Sequence, residues 1–391
     1  MNLKAETPVA CPVCGAFQYR KLYPEYAGRC ITSQMFFLDD VVLDNRVCTA
    51  CGCIFNARGV RGIEEQVYSN ATWKPKPQLL NFSSGTVVSS HQKALDTFLD
   101  LYQPPEFGRL LDFGAGTGAF LACFQARYPR WEITAIEPGD GFSSLRQQVT
   151  LHAAYNTPYY LVDTDATFDM IVVTSVLEHV ANPLHALEWI RSHLTEDGVL
   201  LMQHPNFEKL PGDLFCADHI NKLTPSLLKA LSAAAGFGTF AENNDGVMFY
   251  QAQSLQERSQ MPSAECVAQA LRVAEACEQT AISTIECVRQ AVFSARKKGG
   301  RAAVFGTSPI GSMAHLLLDC KPDIACFVDE NPNVWGRDID TIPVIGPEDM
   351  KKMNVTDLAL AISPVYWQAV QEKMKAYAVA VHVPNQPGQP D

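Results

Sequence analysis

Between residues 76 and 260 short β-rich apolar runs alternate with stretches in which apolar side chains recur every three or four positions. The short runs suit strands buried in a sheet, and the longer stretches suit amphipathic helices. The pattern predicts strands at Arg109–Phe113, Glu132–Ile136, Met170–Thr174 and Val199–Gln203. It predicts helices at Ala119–Tyr128, Pro183–Leu194 and Pro225–Ala235. Strand and helix in alternation give an α/β, doubly wound parallel sheet.

The pattern changes on both sides of this segment. Residues 1–75 are rich in cysteine and turn residues, with short strand-like runs such as Gln34–Leu38. Residues 261–300 read as one long helix over 263–298, because Val267, Ala274, Ala281, Val288 and Ala295 recur every seven residues. Leu271, Ile285 and Val292 join that face, Glu278 interrupts it, and Gly299-Gly300 stops the helix. Such a helix is expected to dock one domain on another, with a dimerising coiled coil as the alternative. A second α/β unit fills 301–391: strand Ala302–Phe305, turn Gly306–Gly311, an apolar helix, then strand Ile324–Val328 ending at Asp329.

Composition narrows the function classes. A chain of 391 residues is expected to hold more than one domain. A net charge of −11 argues against tracking a phosphate backbone, so no nucleic-acid partner is expected. No apolar run reaches the roughly 20 residues that span a bilayer, and the first residues lack a signal-peptide core. No membrane partner is expected. Thirteen cysteines, an odd number and many in apolar stretches, suggest a reducing cytoplasm.

The chemistry concentrates where the first predicted strand ends. Leu111-Asp112-Phe113-Gly114-Ala115-Gly116-Thr117-Gly118 places glycines at alternate positions between a strand and a helix. Their missing side chains let the backbone turn tightly against a ligand. The spacing differs from the dinucleotide pattern Gly-x-Gly-x-x-Gly, whose third glycine falls one residue later. The second strand ends at Glu137-Pro138, about 20 residues on, where a carboxylate can accept both hydroxyls of a ribose. Phe168–Val172 and Ser175-Val176-Leu177-Glu178-His179-Val180 supply the fourth strand and its loop, and Asp197–Met202 the fifth.

These motifs, in this order, resemble class I methyltransferases over about 150 residues. The resemblance implies that S-adenosylmethionine is held by Asp112, Gly114, Ala115, Gly116, Gly118, Glu137, Pro138, Ser175 and Glu178. Asp163 is either an adenine contact or a loop carboxylate. His204 and Asn206, after the fifth strand, face the same edge and are candidate substrate contacts.

Two Cys-x-x-Cys-Gly turns, Cys11–Gly15 and Cys48–Gly52, each place two thiolates on one tight turn. Cys11, Cys14, Cys48 and Cys51 together supply a tetrahedral zinc site with no open position, hence a structural zinc. Cys53 is a spare thiol nearby.

The whole layout resembles the sugar C-methyltransferases, which act on nucleotide-linked keto-deoxysugars. In that family a four-cysteine zinc module precedes the methyltransferase domain, and a Rossmann-like domain follows it. Asn81-Phe82-Ser83-Ser84-Gly85-Thr86, with His91 downstream, is similar to the family's aromatic-x-Ser-Ser segment. Phe327-Val328-Asp329-Glu330-Asn331-Pro332, Trp335-Gly336-Arg337 and Ile342-Pro343-Val344 resemble its C-terminal domain. The resemblance implies domains at 1–75, 76–260, 261–300 and 301–391, a nucleotide-sugar substrate touched by Ser84, and a monomer or homodimer. It further implies that His219 removes a proton next to the ketone, with Asp218 orienting or charge-stabilising an imidazole and His179 as rival base or enolate stabiliser. The family's Tyr-x-Glu-His segment reads Cys216-Ala217-Asp218-His219 here, and its later His-Gly-Gly element is altered around Asn244-Asp245-Gly246. These departures leave open a small-molecule O- or N-methyltransferase, or a lapsed sugar-nucleotide-binding protein.

Overall fold

A computed structural model of the chain describes residues 9–63, 67–68, 79–81, 87–243, 247–254 and 263–385. The N-terminal module is an antiparallel meander of β1 (Tyr19–Ile31), β2 (Phe37–Cys48) and β3 (Ile54–Asn56). Only Phe37 and Leu38 of the run Gln34–Leu38 lie in a strand. Gln34–Phe36 belong to the reversal from β1 to β2, closed by Thr32 N–H on the Phe36 carbonyl at 2.9 Å with Met35 at φ 65°. The chain must turn there for the two strands to pair, and turning overrides the apolar pattern. A short hairpin, β4 (Leu79–Asn81) with β5 (Val87–Ser89), leads into helix α1 (Ser90–Leu101).

The middle of the chain builds a seven-stranded sheet. Its strands are β6 (Arg109–Phe113), β7 (Glu132–Ile136), β8 (Ala153–Tyr155), β9 (Phe168–Thr174), β10 (Leu194–Pro205), β11 (Phe237–Asn243) and β12 (Val247–Ser254). The order is β11-β12-β10-β9-β6-β7-β8, parallel except where β12 pairs antiparallel with β10 and β11. Helices α2 (Ala119–Arg127), α3 (Gly141–Gln148), α4 (Pro183–Ser192) and α5 (Pro225–Ala235) connect the strands. α4 and α5 start on side-chain caps, Asn182 and Thr224, each followed by proline at a position where the missing N–H costs nothing. β6 has β7 on one side and β9 on the other, with Asp112 opposite Ala135 and Val172. This reversal opens a crevice at the carboxyl ends of the strands, where α/β sheets take their ligands.

Helix α6 (Ala264–Lys297) runs 34 residues, about 51 Å at the usual rise. Ala274, Ala281, Val288 and Ala295 are buried, as are Ile285 and Val292. Cys277, Thr280, Thr284, Cys287 and Ala291 widen the buried face beyond one heptad seam, because the helix is packed on more than one side. It leads to a six-stranded sheet of β13 (Arg301–Phe305), β14 (Ile324–Val328), β15 (Asp338–Ile339), β16 (Ile342–Ile345), β17 (Val355–Leu360) and β18 (Ala380–His382). The order is β15-β16-β14-β13-β17-β18, with helices α7 (Pro309–Leu317) and α8 (Trp367–Met374).

One apolar core joins the ends of the chain. Leu22 and Ile31 of the first module, Ala281 and Ile285 of α6, and Val304, Met313 and Phe327 of the last sheet all belong to it. Glu278, the polar break in the heptad, receives Arg20 Nη1 at 2.6 Å and the Tyr23 backbone N–H at 2.7 Å from β1. The break is thus a bolt between the helix and the first module. Asp340, buried, accepts from His315 and Lys321, each at 2.9 Å, and from Arg29 of β1. No helix among the described residues is long and apolar enough to cross a membrane.

Candidate functional site

The crevice beside β6 begins with Asp112 and the glycine turn. Gly114 sits at φ 87°, and a Cβ there would lie 2.4 Å from Val176 Cγ2, so the close approach demands glycine. Gly116, at φ 53°, faces open space: a Cβ would meet nothing within 4 Å. Glu137 ties the turn together by accepting from Gly116 N–H at 2.7 Å and Gly139 N–H at 2.6 Å. Asn156, which the sequence did not reveal, holds the Glu137 carbonyl at 2.8 Å. Burial raises the Glu137 carboxyl above its usual range despite those two hydrogen bonds.

Asp112 is the distinctive group. Both of its carboxylate oxygens are buried without a hydrogen-bond partner among the described residues. Burial, reinforced by the charge of Glu137, pushes its pKa up to about 8. A buried, unmatched carboxylate beside an open glycine turn suits a cationic ligand, and S-adenosylmethionine carries a sulfonium and an ammonium. Ala115 is buried with its N–H on the Ile136 carbonyl, whereas Pro138 and Asp163 are exposed. Ser175 is exposed in the left-handed region at φ 55°.

The second half of the site is a cluster of three imidazoles and three carboxylates. The His179 and His219 rings meet edge to face at 4.8 Å between centroids. His219 Nδ1 is hydrogen-bonded to Asp213 Oδ1. Burial alone would lower the His219 pKa, but the charge of Asp213 and that hydrogen bond raise it to about 9. His179 Nδ1 lies 2.8 Å from Tyr68 Oη and 2.9 Å from the Asp218 carbonyl oxygen. A carbonyl can only accept, so Nδ1 carries the proton. Glu178 Oε2 pairs with His204 Nδ1 at 3.0 Å in full burial. Burial opposes the charge on Glu178, but the hydrogen bond from His204 and the surrounding imidazoles bring its pKa down to about 2.

The geometry gives the other expected residues definite partners. Asp218 stands beside the imidazoles by charge: its Oδ2 lies 3.8 Å from His179 Nδ1, and it helps to raise the His219 pKa, while its hydrogen bonds go elsewhere. Side chains of successive residues diverge, and its carboxylate instead receives Ser33 N–H and Oγ–H, both at 2.7 Å, and Cys216 Sγ–H at 3.0 Å. Glu178 belongs to the histidine cluster, with its carboxylate held by His204. His204 is wholly buried on Glu178, and Asn206, also buried, accepts the Glu208 N–H through Oδ1 at 3.1 Å. Ser84 and Asn244-Asp245-Gly246 lie outside the described residues.

The segment carrying His219 is braced by the N-terminal module. Ala217 N–H bonds the Ile31 carbonyl at 2.9 Å, and Lys222 N–H bonds the Ile54 carbonyl at 2.8 Å. Asn45 Nδ2 donates to the Leu214 carbonyl at 2.7 Å. Lys222, fully buried, donates through Nζ to the His219 carbonyl at 2.5 Å. Asn221 Nδ2 reaches the carbonyls of Leu177 at 3.0 Å and Val180 at 2.7 Å, joining this segment to the loop after β9. Asp213, Tyr68 and Ser33 were not singled out from the sequence. Each comes from a different part of the chain, and no periodicity or spacing marks them.

The four cysteines converge as their spacing requires. Cys11 and Cys51 Sγ are 3.6 Å apart, as are Cys14 and Cys48, and all four lie within 4.8 Å of one another. A tetrahedron with zinc–sulfur bonds of about 2.3 Å has edges of about 3.8 Å. Backbone N–H groups of Val13 and Cys14 point at Cys11, and those of Ala50 and Cys51 at Cys48. The donor set therefore fits a zinc ion. Cys53 is buried beside Cys11 but is not one of the four.

At the carboxyl edge of the last sheet, Thr307 Oγ1 donates to Asp329 Oδ2 at 2.9 Å and Asn331 N–H to Asp329 Oδ1 at 2.8 Å. Trp335 Nε1 donates to the Asp329 carbonyl at 2.7 Å, and the ring is partly exposed.

Residues 89–257 match the family described as a methyltransferase domain. Among curated proteins, (S)-tetrahydroprotoberberine N-methyltransferase of Eschscholzia californica is 23% identical over 143 residues, 33% of this chain. The match covers 41% of that relative, so the chain spans about two fifths of its length. Of the solved structures, coclaurine N-methyltransferase is 18% identical, with a TM-score of 0.37 over 46% of this chain and 58% of that one. A glycopeptide N-methyltransferase solved with S-adenosylmethionine is 15% identical, with a TM-score of 0.35 over 44% of this chain and 96% of that one. The matched residues 89–257 span the seven-stranded sheet and its glycine turn, and their fold is that of a class I methyltransferase domain.

Proposed function

We propose that the chain methylates a carbon next to a ketone in a nucleotide-linked keto-deoxysugar. The observation that carries this reading is His219: buried, with Nδ1 committed to Asp213, and with His179 beside it. S-adenosylmethionine, when bound, supplies the methyl group. Asp112 and Glu137 would hold it at the glycine turn. With Nδ1–H engaged by Asp213, His219 in its neutral form, the major one only above pH about 9, offers the Nε2 lone pair that takes the α-proton. The cationic His219 then left would steady negative charge on the enolate oxygen. Tyr68 brings a phenol to His179, in a chain that lacks the sugar family's tyrosine at Cys216.

The remaining parts follow the four-part division at 1–75, 76–260, 261–300 and 301–391. Cys11, Cys14, Cys48 and Cys51 would hold a structural zinc that stiffens the strands bracing residues 213–222. The turn Gly306–Gly311, with Asp329, would take the nucleotide half of the substrate, as helix N-termini favour anions. Thirteen cysteines, four of them clustered, suit a reducing cytoplasm.

A second reading has one observation in its favour: the curated relative is an N-methyltransferase. In that case His219 would take the proton of an attacking amine or hydroxyl on a small molecule. Incubation with a panel of nucleotide-linked keto-sugars, and with amine and phenol acceptors, decides between them by mass. A methyl gain on a keto-sugar supports the first reading. A gain confined to the amines or phenols contradicts it.

A further inference from the structure

Glu178, His179 and His219 each bring one ligand atom to within 4.8 Å of the others. Both imidazoles are anchored through Nδ1, His219 by Asp213 and His179 by the Asp218 carbonyl and Tyr68. Among the described residues, neither Nε2 has a hydrogen-bond partner. Histidines that hold a metal commonly have their other nitrogen fixed by a carboxylate or carbonyl in this way. Glu178 adds the third donor. Its Oε2 is held by His204, while Oε1 is buried with no hydrogen-bond partner among the described residues. That orphaned oxygen is costly to keep without a cation or donor.

We propose that Glu178 Oε1 and the Nε2 atoms of His179 and His219 form a reversible site for a divalent transition metal, zinc above all, and that filling it switches methyl transfer off. Two imidazoles and one carboxylate favour zinc, nickel or cobalt over magnesium or calcium. A tetrahedral zinc site with bonds of about 2.05 Å separates its ligands by about 3.3 Å, so ligand atoms up to 4.8 Å apart draw together by up to about 1.5 Å on binding. The overlapping trio of Asp213, Cys216 and His219 is less suited, because Asp213 already occupies His219 Nδ1. The switch follows from valence: the Nε2 lone pair cannot bind zinc and accept a proton together. Only this inhibition rests on His219 being the base; the metal site itself does not.

The probe is zinc alone. Full-length protein with its four-thiolate site loaded is dialysed against micromolar free zinc, and bound metal is counted by mass spectrometry. Wild type should hold two zinc ions, and Glu178→Gln and His179→Gln one each. Thiolate-to-cobalt charge transfer, read on cobalt-loaded samples, should be unchanged in both variants, showing that the N-terminal site and its fold survive. Wild-type transfer should fall about a hundredfold as the second ion binds, and recover on dialysis to lower free zinc. One zinc in wild type, or a second zinc retained by both variants, would overturn the site. Two zinc ions with undiminished transfer would overturn the switch, and with it the assignment of His219 as base.

Discussion

His219 is hydrogen-bonded through Nδ1 to Asp213, six residues earlier, and not to its neighbour Asp218. The pair fixes the ring and its tautomer, which makes Asp213 the positioning residue of the proposed base. Asp213→Asn should lower kcat by about tenfold to a hundredfold while leaving the KM for S-adenosylmethionine near wild type. Asp213→Glu should recover part of the loss. Equal damage to both constants would mean that Asp213 only supports the fold.

Asp218 has a different task. Its carboxylate gathers Ser33 and Cys216 in full burial. Asp218→Ala should lower stability by about 1–3 kcal/mol, because it strands buried donors. Thermal unfolding checks this, and an unchanged midpoint would remove Asp218 from the brace.

Asp112 sets a pH dependence. Its pKa is raised from its usual 3.8 to about 8 in the folded chain. Between those values the folded state holds a proton that the unfolded state has lost, so this residue's contribution to stability declines as pH rises through the window. A cationic ligand favours the ionised form. Affinity for S-adenosylmethionine should therefore rise with pH up to about 8 and then level off. Titration calorimetry across that range should show the rise in wild type and a flat profile in Asp112→Asn. A flat wild-type profile would place the ligand's positive charge elsewhere.

Protein prepared without chelators or added metal should carry about one zinc per chain, lost in Cys48→Ser. Because β1 and β3 bond directly to Ala217 and Lys222, loss of that metal should lower kcat as well as loosen the first module. Elemental analysis with parallel kinetics tests both halves. Zinc-free protein of full activity would contradict them.

Asp329→Asn should raise the KM for a nucleotide sugar several-fold and leave that for S-adenosylmethionine unchanged. The point variant is preferable to removing the last domain, since Val304, Met313 and Phe327 share a core with Leu22 and Ile31. A rise confined to the cofactor's KM would exclude the last sheet from substrate binding.

The sequence displayed the parts of this molecule that depend on local rules. Strands Arg109–Phe113, Glu132–Ile136 and Ile324–Val328 fall where the apolar runs put them. Gly114, Gly116 and Glu137 form one turn, and the four cysteines meet, because each set is defined by short spacings. The polar cluster was only half legible. His179 and His219 stood out as histidines near strand ends, but Asp213, Tyr68 and Ser33 reach them by tertiary packing, which leaves no periodic trace. Glu278 looked like an interruption of a heptad, and only its partners in β1 give it a purpose. Asp218 was legible as a charge near the imidazoles, but its hydrogen bonds to Ser33 and Cys216 were not, since nearness in sequence says little about which way a side chain points.

The central claim is that His219 removes a proton from carbon. Wild type, given a nucleotide-linked keto-sugar in heavy water with an unreactive cofactor analogue and trace zinc controlled, should exchange the proton next to the ketone for deuterium, as read by NMR. His219→Asn should still bind both ligands and exchange about a hundredfold more slowly. His179→Asn is the matched control and should keep most of the exchange. Exchange at the wild-type rate in His219→Asn, with both ligands bound, would contradict the account.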